Sequence, residues 1–450
     1  MANNLKVGFA RVNVTPPMGI PVWGYYVKRF ADGVLDELEA NAIALQSKDT
    51  TVLLITIDHC GLVKAVLDEY KSAISSVTGV PIDAIFIHST HTHTGPDVSP
   101  NSENELVNEY KNTLKRKVCD LATFAIADLK DAKMGYAISK APNVAFIRRY
   151  RMKDGSVRTN PGVNNPDIVA PIGEVDERVN VLRFDRVDGE TIVVLNFGNH
   201  PDTVGGTKIS GDWPSLTRAC VEKCLDNTKC IFFNGAQGDV NHVNVHPTAG
   251  DFNGLQNDFD GCSRGYLHAK HVANVVTGAA MQVYEKVEYV DVDQIKYAQK
   301  FISVPANNPL PEEMPLARKY NDLHLADRDD EIPFKAMMLT TVLADSARKV
   351  RLENAPDYFQ LLFSAIKIGD VAFYGIPGEP FTPVGTSIKE TEGYKLILPC
   401  INTNGKEGYF PMMDSYEEGG YEAKGSNYKA GSAEIIIEKS KEILKDLLKD

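Results

Sequence analysis

The chain has 450 residues, with 48 basic and 60 acidic side chains and a formal net charge of −12. That balance argues against non-specific nucleic-acid binding and against electrostatic attachment to anionic membranes, and no run of 18 apolar residues marks a membrane span. A 43% hydrophobic, 24% charged composition is that of a globular protein with a sizeable core.

The elements follow in chain order. Two strand-like runs, VGFARVNV and TVLLITID, open the chain. Helical periodicity over 62–78 sets Leu62, Ala65, Val66, Ala73, Ile74 and Val77 on one stripe. The run AIFI (84–87) precedes HSTHTHTGPD, and a second helix is predicted over 102–129, with Ser102 and Glu105 as a capping box. Residues 151–178, 244–265 and 302–333 read as loops. Between them, TIVVLNF (191–197) precedes GNHPD, and CIFF (230–233) precedes NGAQGDVNH. Later, VAFYGI (371–376) precedes PGEP, and KLIL (395–398) precedes PCINTNGKEGYF. An amphipathic helix over 433–449 ends the chain. Strands alternating with helices predict one α/β domain over 1–450: a mixed, partly parallel sheet core with flanking helices. In such sheets ligands bind beyond the carboxyl ends of the strands. Five of the apolar runs end in polar, Gly-rich turns at that place.

The residues at those ends suggest a metal. His91 and His93 stand two apart after an apolar run, so an extended chain would aim both imidazoles to one side. Three of the ten histidines fall within six residues here, which favours metal binding or catalysis over a surface turn. His88, inside the run, reads as a core residue. His200 in GNHPD and Glu379 in PGEP are each weak alone, but both suit an ion or a general base. Tyr409 and Tyr421 fit packing as well as a site. His242 and His246 show no persuasive pattern, and His268 and His271 read as a solvated helix face. The cluster Cys220, Cys224, Cys230 reads as buried thiols. Seven cysteines, an odd number, make no disulfide framework. With no leader pattern at the start, they point to a reducing, cytoplasmic location.

THTHTGPD, GNHPD followed by ISGDW, GAQGDVN, PGEPF and GYF…SYEEGGYEA resemble, in this order, the neutral (non-lysosomal) ceramidase family. The opening GFARVNVTPPMG is similar too, and the likeness spans roughly residues 5 to 430. The resemblance implies a zinc-dependent hydrolase of an amide-like, N-acyl bond, with one Zn2+ per chain. It implies His91, His200, Glu379 and Tyr409 as metal ligands. It implies His93 and Tyr421 as holders of the scissile carbonyl, and Arg148 in FIRRY as a substrate-binding arginine beside Arg149. Asp97, Asp202 and Asp239 are candidates to orient the ligand histidines.

Two departures bear on the substrate. Asn241, in GDVNHVN, stands where the family has a serine, which removes a serine-based route and turns expectation away from ceramide, leaving Asn241 a hydrogen-bond donor. The expectation is also one catalytic domain without the family's C-terminal immunoglobulin-like domain. The expected partner is therefore a small-molecule or lipid-like N-acyl substrate, with no nucleic acid and no integral membrane segment. Hydrolysis of an ester, lactone or sugar-derived substrate on the same site is the alternative, as is a non-catalytic protein that retains the metal. An amidohydrolase barrel fits less well, because two strands precede the HxH pair. So does a metallo-β-lactamase, because Gly95 stands where HxHxD needs its Asp.

Overall fold

The computed structural model describes residues 4–248, 256–257 and 263–449. The predicted class is observed: a mixed α/β fold with a partly parallel sheet core and flanking helices. The long sheet runs in the order Thr228–Asn234, Thr191–Phe197, Arg178–Arg186, Lys130–Lys140, Leu5–Asn13, Glu39–Ser47, Thr50–Ile57 and Ile85–Ser89, with Glu288–Val290 added beside Lys130–Lys140. Its interior pairs are antiparallel. Its two outermost pairs are parallel: Thr191–Phe197 with Thr228–Asn234, and Thr50–Ile57 with Ile85–Ser89. A four-stranded sheet, Ile295–Pro305, Tyr358–Ile368, Val371–Gly375 and Leu396–Cys400, contributes the third parallel pair, between its last two strands. This sheet architecture excludes the amidohydrolase barrel.

All five predicted strands with suspicious ends belong to these three parallel pairs. Parallel strands buried on both faces read as continuous apolar runs, which is why they were visible in the sequence. The long sheet curls until its edges meet. Asn234 N, at one edge, donates to His88 Nε2, at the other, over 3.0 Å, while His88 Nδ1 lies 2.6 Å from the carbonyl of Ile401. Ile401 N in turn donates to Asn234 O. His88 is thus a satisfied core residue, as expected, and it ties three strand ends together.

The helices pack as amphipathic elements. Lys64–Thr78 buries Val66, Leu67, Tyr70 and Ile74, and leaves Val77 exposed, so the stripe is rotated from the predicted one. Glu105–Ala127 is capped by Asn104, not Ser102: Asn104 Oδ1 accepts from the amides of Leu106 and Val107. A side-chain oxygen one residue before the helix reaches these orphan amides better than one three residues away. Ser432–Leu448 matches the predicted terminal helix. Two predicted loops hold regular structure. Residues 151–178 carry short strands such as Val157–Thr159 and Ile168–Pro171, and 302–333 contains the helix Met314–Leu325. The predicted loop 244–265 lies largely outside the described residues, as does Cys262. Cys230 is buried, Cys220 partly so and Cys224 exposed.

Candidate metal centre

Three chain segments from three parallel pairs meet at one point. The His91 backbone adopts φ 77°, a left-handed conformation uncommon for a non-glycine residue. The strand ends at Ser89, so the expected extended alternation of His91 and His93 does not hold. Both imidazoles converge because the chain turns there, held by His91 N donating to His59 O and His93 N donating to Pro201 O. His200 follows the strand end at Phe197. Glu379 follows the strand Val371–Gly375, and its short parallel pairing with Tyr409 sets carboxylate and phenol side by side.

His91 Nε2 lies 3.2 Å from His200 Nε2 and 3.1 Å from Glu379 Oε2, and His200 Nε2 lies 3.6 Å from the same oxygen. An ion bonded at about 2.0–2.1 Å in tetrahedral geometry separates its ligands by about 3.3 Å. The three atoms therefore form one face of a coordination tetrahedron. Glu379 Oε2 is buried and faces two imidazole nitrogens, His91 Nε2 at 3.1 Å and His200 Nε2 at 3.6 Å. A buried carboxylate oxygen set among ring nitrogens able to present lone pairs fits a cation between them. His93 Nε2 lies 3.3 Å from His91 Nε2, and His93 falls in an overlapping group with His91 and Cys60, beside the triad.

The histidine tautomers follow from their outer partners. His91 Nδ1 faces the carbonyl of Cys60, and His200 Nδ1 lies 3.3 Å from that of Gln237. A proton held at each Nδ1 leaves each Nε2 lone pair for an ion. Backbone carbonyls, not carboxylates, thus orient the ligands. The expected carboxylates are engaged elsewhere: Asp97 accepts from Ser99, Asp202 meets His242 Nδ1 at 3.1 Å, and Asp239 accepts from Thr382. Burial holds His93 and His200 well below the ordinary histidine range, helped by the charge of His91. Burial also opposes charge on His91, but the Glu379 carboxylate overrides it and raises His91. Burial would raise Glu379; His91 and Arg148 reverse this and keep it ionised. Burial pushes Tyr409 and Tyr421 well up, so both phenols are neutral donors.

These groups line a cleft of about 1170 Å³ whose wall includes His91, His93, Glu379, Tyr409 and Tyr421. The rings of Tyr409 and Tyr421 stand 5.5 Å apart, with Arg148 Cζ 5.4 Å from the first and 6.0 Å from the second. Arg148 is off the cleft wall and buried; its Nε meets Glu422 Oε1 at 2.7 Å and its Nη2 donates to Gly238 O. Arg149 binds Ser415 and Glu418. Asn241 is also off the wall. Its Nδ2 donates to Asn160 Oδ1 and its Oδ1 accepts from Val243 N, so the side chain is spent on local structure. His268 is buried against His242, unlike the expected solvated face, while His271 is exposed.

Sequence reasoning missed Asn234, whose Nδ2 reaches Thr90 O at 3.2 Å and Asn199 O at 3.1 Å, the carbonyls just before His91 and His200. It also missed His59 and Cys60. They follow the sixth parallel strand, Thr50–Ile57, in the same pattern of apolar run and polar end.

The fold and this cluster define the class: a mixed α/β protein with a candidate metal centre at strand carboxyl ends. No protein-family model and no curated protein sequence matches the chain. Among solved structures, neutral ceramidase from Pseudomonas aeruginosa matches with a TM-score of 0.72 and 15% identity, over 98% of this chain and 74% of that one. A ceramidase complexed with C2 matches with a TM-score of 0.71 and 14% identity, over 99% and 76%. The chain has a divergent neutral ceramidase-like fold.

Proposed function

We propose that the protein is a zinc-dependent hydrolase that cleaves an amide-like, N-acyl bond within one catalytic unit. The observation that carries this reading is the triad of His91, His200 and Glu379, with ligand atoms 3.1–3.6 Å apart and with His91 and Glu379 on the wall of a cleft. Two imidazole nitrogens and one carboxylate match the preferences of zinc, whose binding would displace the proton that Glu379 favours on His91. Tyr409, paired in register with Glu379, is the fourth candidate ligand. A zinc ion held there supplies a Lewis acid and a bound water with a pKa near about 7.

The chain's own residues do the rest. Glu379 stays ionised and offsets the charge of the ion. His93 and Tyr421, both neutral and both on the wall, donate to the carbonyl oxygen as negative charge develops on it. Arg148 stands behind both tyrosines, locked to Glu422, and fixes the angle of each phenol. The structural neighbours are ceramidases. We place the substrate among N-acyl compounds other than ceramide, in keeping with Asn241 at the family's serine position. Six free cysteines among the described residues fit a reducing compartment such as the cytoplasm.

The test is metal analysis of the purified protein together with release of free amine from a panel of N-acyl compounds. About one zinc per chain and amine release that a chelator abolishes support the reading. Stoichiometric zinc with no turnover of amides, esters or lactones overturns it in favour of a metal-retaining binding protein.

A further inference from the structure

The charges on the cleft wall are not evenly matched. Asp327 pairs with Lys28 at 2.7 Å, Asp329 with His324 at 2.9 Å, and Asp97 is occupied by Ser99. Burial raises Glu407 and favours its neutral form. Lys406 differs. Among the described residues it makes no ion pair; its Nζ stands 4.6 Å from the centre of the Trp23 ring. Its stem lies over Gly61, where any Cβ would come within 2.7 Å of Lys406 Cδ. Gly61 therefore acts as a seat for the lysine, and the indole face fixes the ammonium without neutralising it. A cation held in place but left unpaired inside a cleft is a preorganised partner for an anion.

That cation lies near the proposed chemistry. Lys406, Gly61, Trp23, Arg29, His93 and Glu379 all line the same cleft. Arg29 is fixed beneath His93, with Nη2 donating to the carbonyls of Trp23 and His93 over 2.7 Å each. We propose that Lys406 selects N-acyl substrates that carry an anionic group close to the scissile bond. This deepens the proposed hydrolase and rests on it for the identity of the bond. The shared chemistry is a carboxylate or phosphate on the amine portion, as in an N-acyl amino acid or an N-acyl phosphoethanolamine.

The experiment compares matched substrates on the metal-loaded full chain. N-dodecanoylglycine and N-dodecanoylethanolamine differ only in carboxylate against hydroxymethyl; N-dodecanoyl phosphoethanolamine is the phosphate arm. The expected result is a kcat/KM ratio favouring one anionic compound over the neutral one by tenfold or more. Lys406→Met should collapse the ratio and Lys406→Arg should keep most of it, with metal content measured for each. The two anionic arms tell carboxylate from phosphate.

Binding is measured separately by calorimetry with N-(dodecylsulfonyl)glycine and N-(dodecylsulfonyl)ethanolamine, which cannot be hydrolysed. A Lys406-dependent preference for the anionic sulfonamide, with no turnover of any amide, supports the anion site and overturns the hydrolase reading. Equal binding of both sulfonamides by the unaltered protein, or a preference that survives in Lys406→Met, overturns the anion site.

Discussion

At the scale of single residues, the site depends on side chains whose burial would be costly without an ion. Four titratable groups, His91, His93, His200 and Glu379, are each more than nine-tenths buried at one spot. His91 adds backbone strain, since a left-handed histidine costs on the order of 1–3 kcal/mol. Replacing His91 with Ala should remove metal and turnover together, as read by metal analysis and amine release. Tyr421→Phe should keep the metal and lower kcat by about a hundred- to a thousand-fold, the usual effect of losing one oxyanion donor. Full rate in Tyr421→Phe would remove that phenol from the mechanism. Asn234 supports the ligands from behind, and Asn234→Asp replaces a donor with a charge facing two carbonyls. Metal affinity, measured by competition with a chelator, should fall by about 10- to 100-fold, as for other outer partners of metal ligands.

At the scale of elements, the strand ends must be held in register for those residues to meet. His88 does part of this work through contacts at both ring nitrogens. Burial depresses it to about 3 in the folded protein, with a smaller opposing effect from its bond to Ile401 O. Below pH 6.5 the unfolded chain binds a proton here that the folded chain refuses until about pH 3. Stability should therefore be full above about pH 6.5 and fall with pH across that window, by a few kcal/mol in all. Urea midpoints measured from pH 7 to pH 4 test this, and His88→Phe should flatten the slope. A slope identical in both proteins would assign the acid sensitivity to other groups. Helix packing is equally exacting at Gly8, where a Cβ would meet the carbonyl of Ala125, on Glu105–Ala127, at 1.9 Å. Gly8→Ala should cost about 1–3 kcal/mol in urea unfolding, the range for overpacking, while the folded fraction keeps its specific activity.

For the whole molecule, the candidate metal centre draws its residues from both sheets. His91 and His200 follow strands of the parallel pairs at opposite ends of the long sheet, and Glu379 follows a strand of the four-stranded one. A ligand bound only by the folded state stabilises it by about 4 kcal/mol at a thousand times its Kd. A chelator should lower Tm by several degrees, and equimolar zinc should restore both Tm and activity. A Tm indifferent to chelation would show that the two sheets hold together without the ion.

The strands that matter, and the residue types at their ends, are legible along the chain. A parallel strand buried on both faces must be apolar throughout, and the turn after it must be polar to meet a ligand, so both signals are local. The order of five such motifs was enough to point to the neutral ceramidase-like fold. Which of those polar residues share a point in space is a matter of long-range packing. Asp97, Asp202 and Asp239 carry the same chemical promise as Glu379, yet each is taken up by a neighbour, while Asn234 and the carbonyls of Cys60 and Gln237 hold the cluster in ways that no motif announces. Which side chain faces which depends on how a curled sheet brings its two edges together, and that distance is set by packing of the whole core rather than by any stretch of chain.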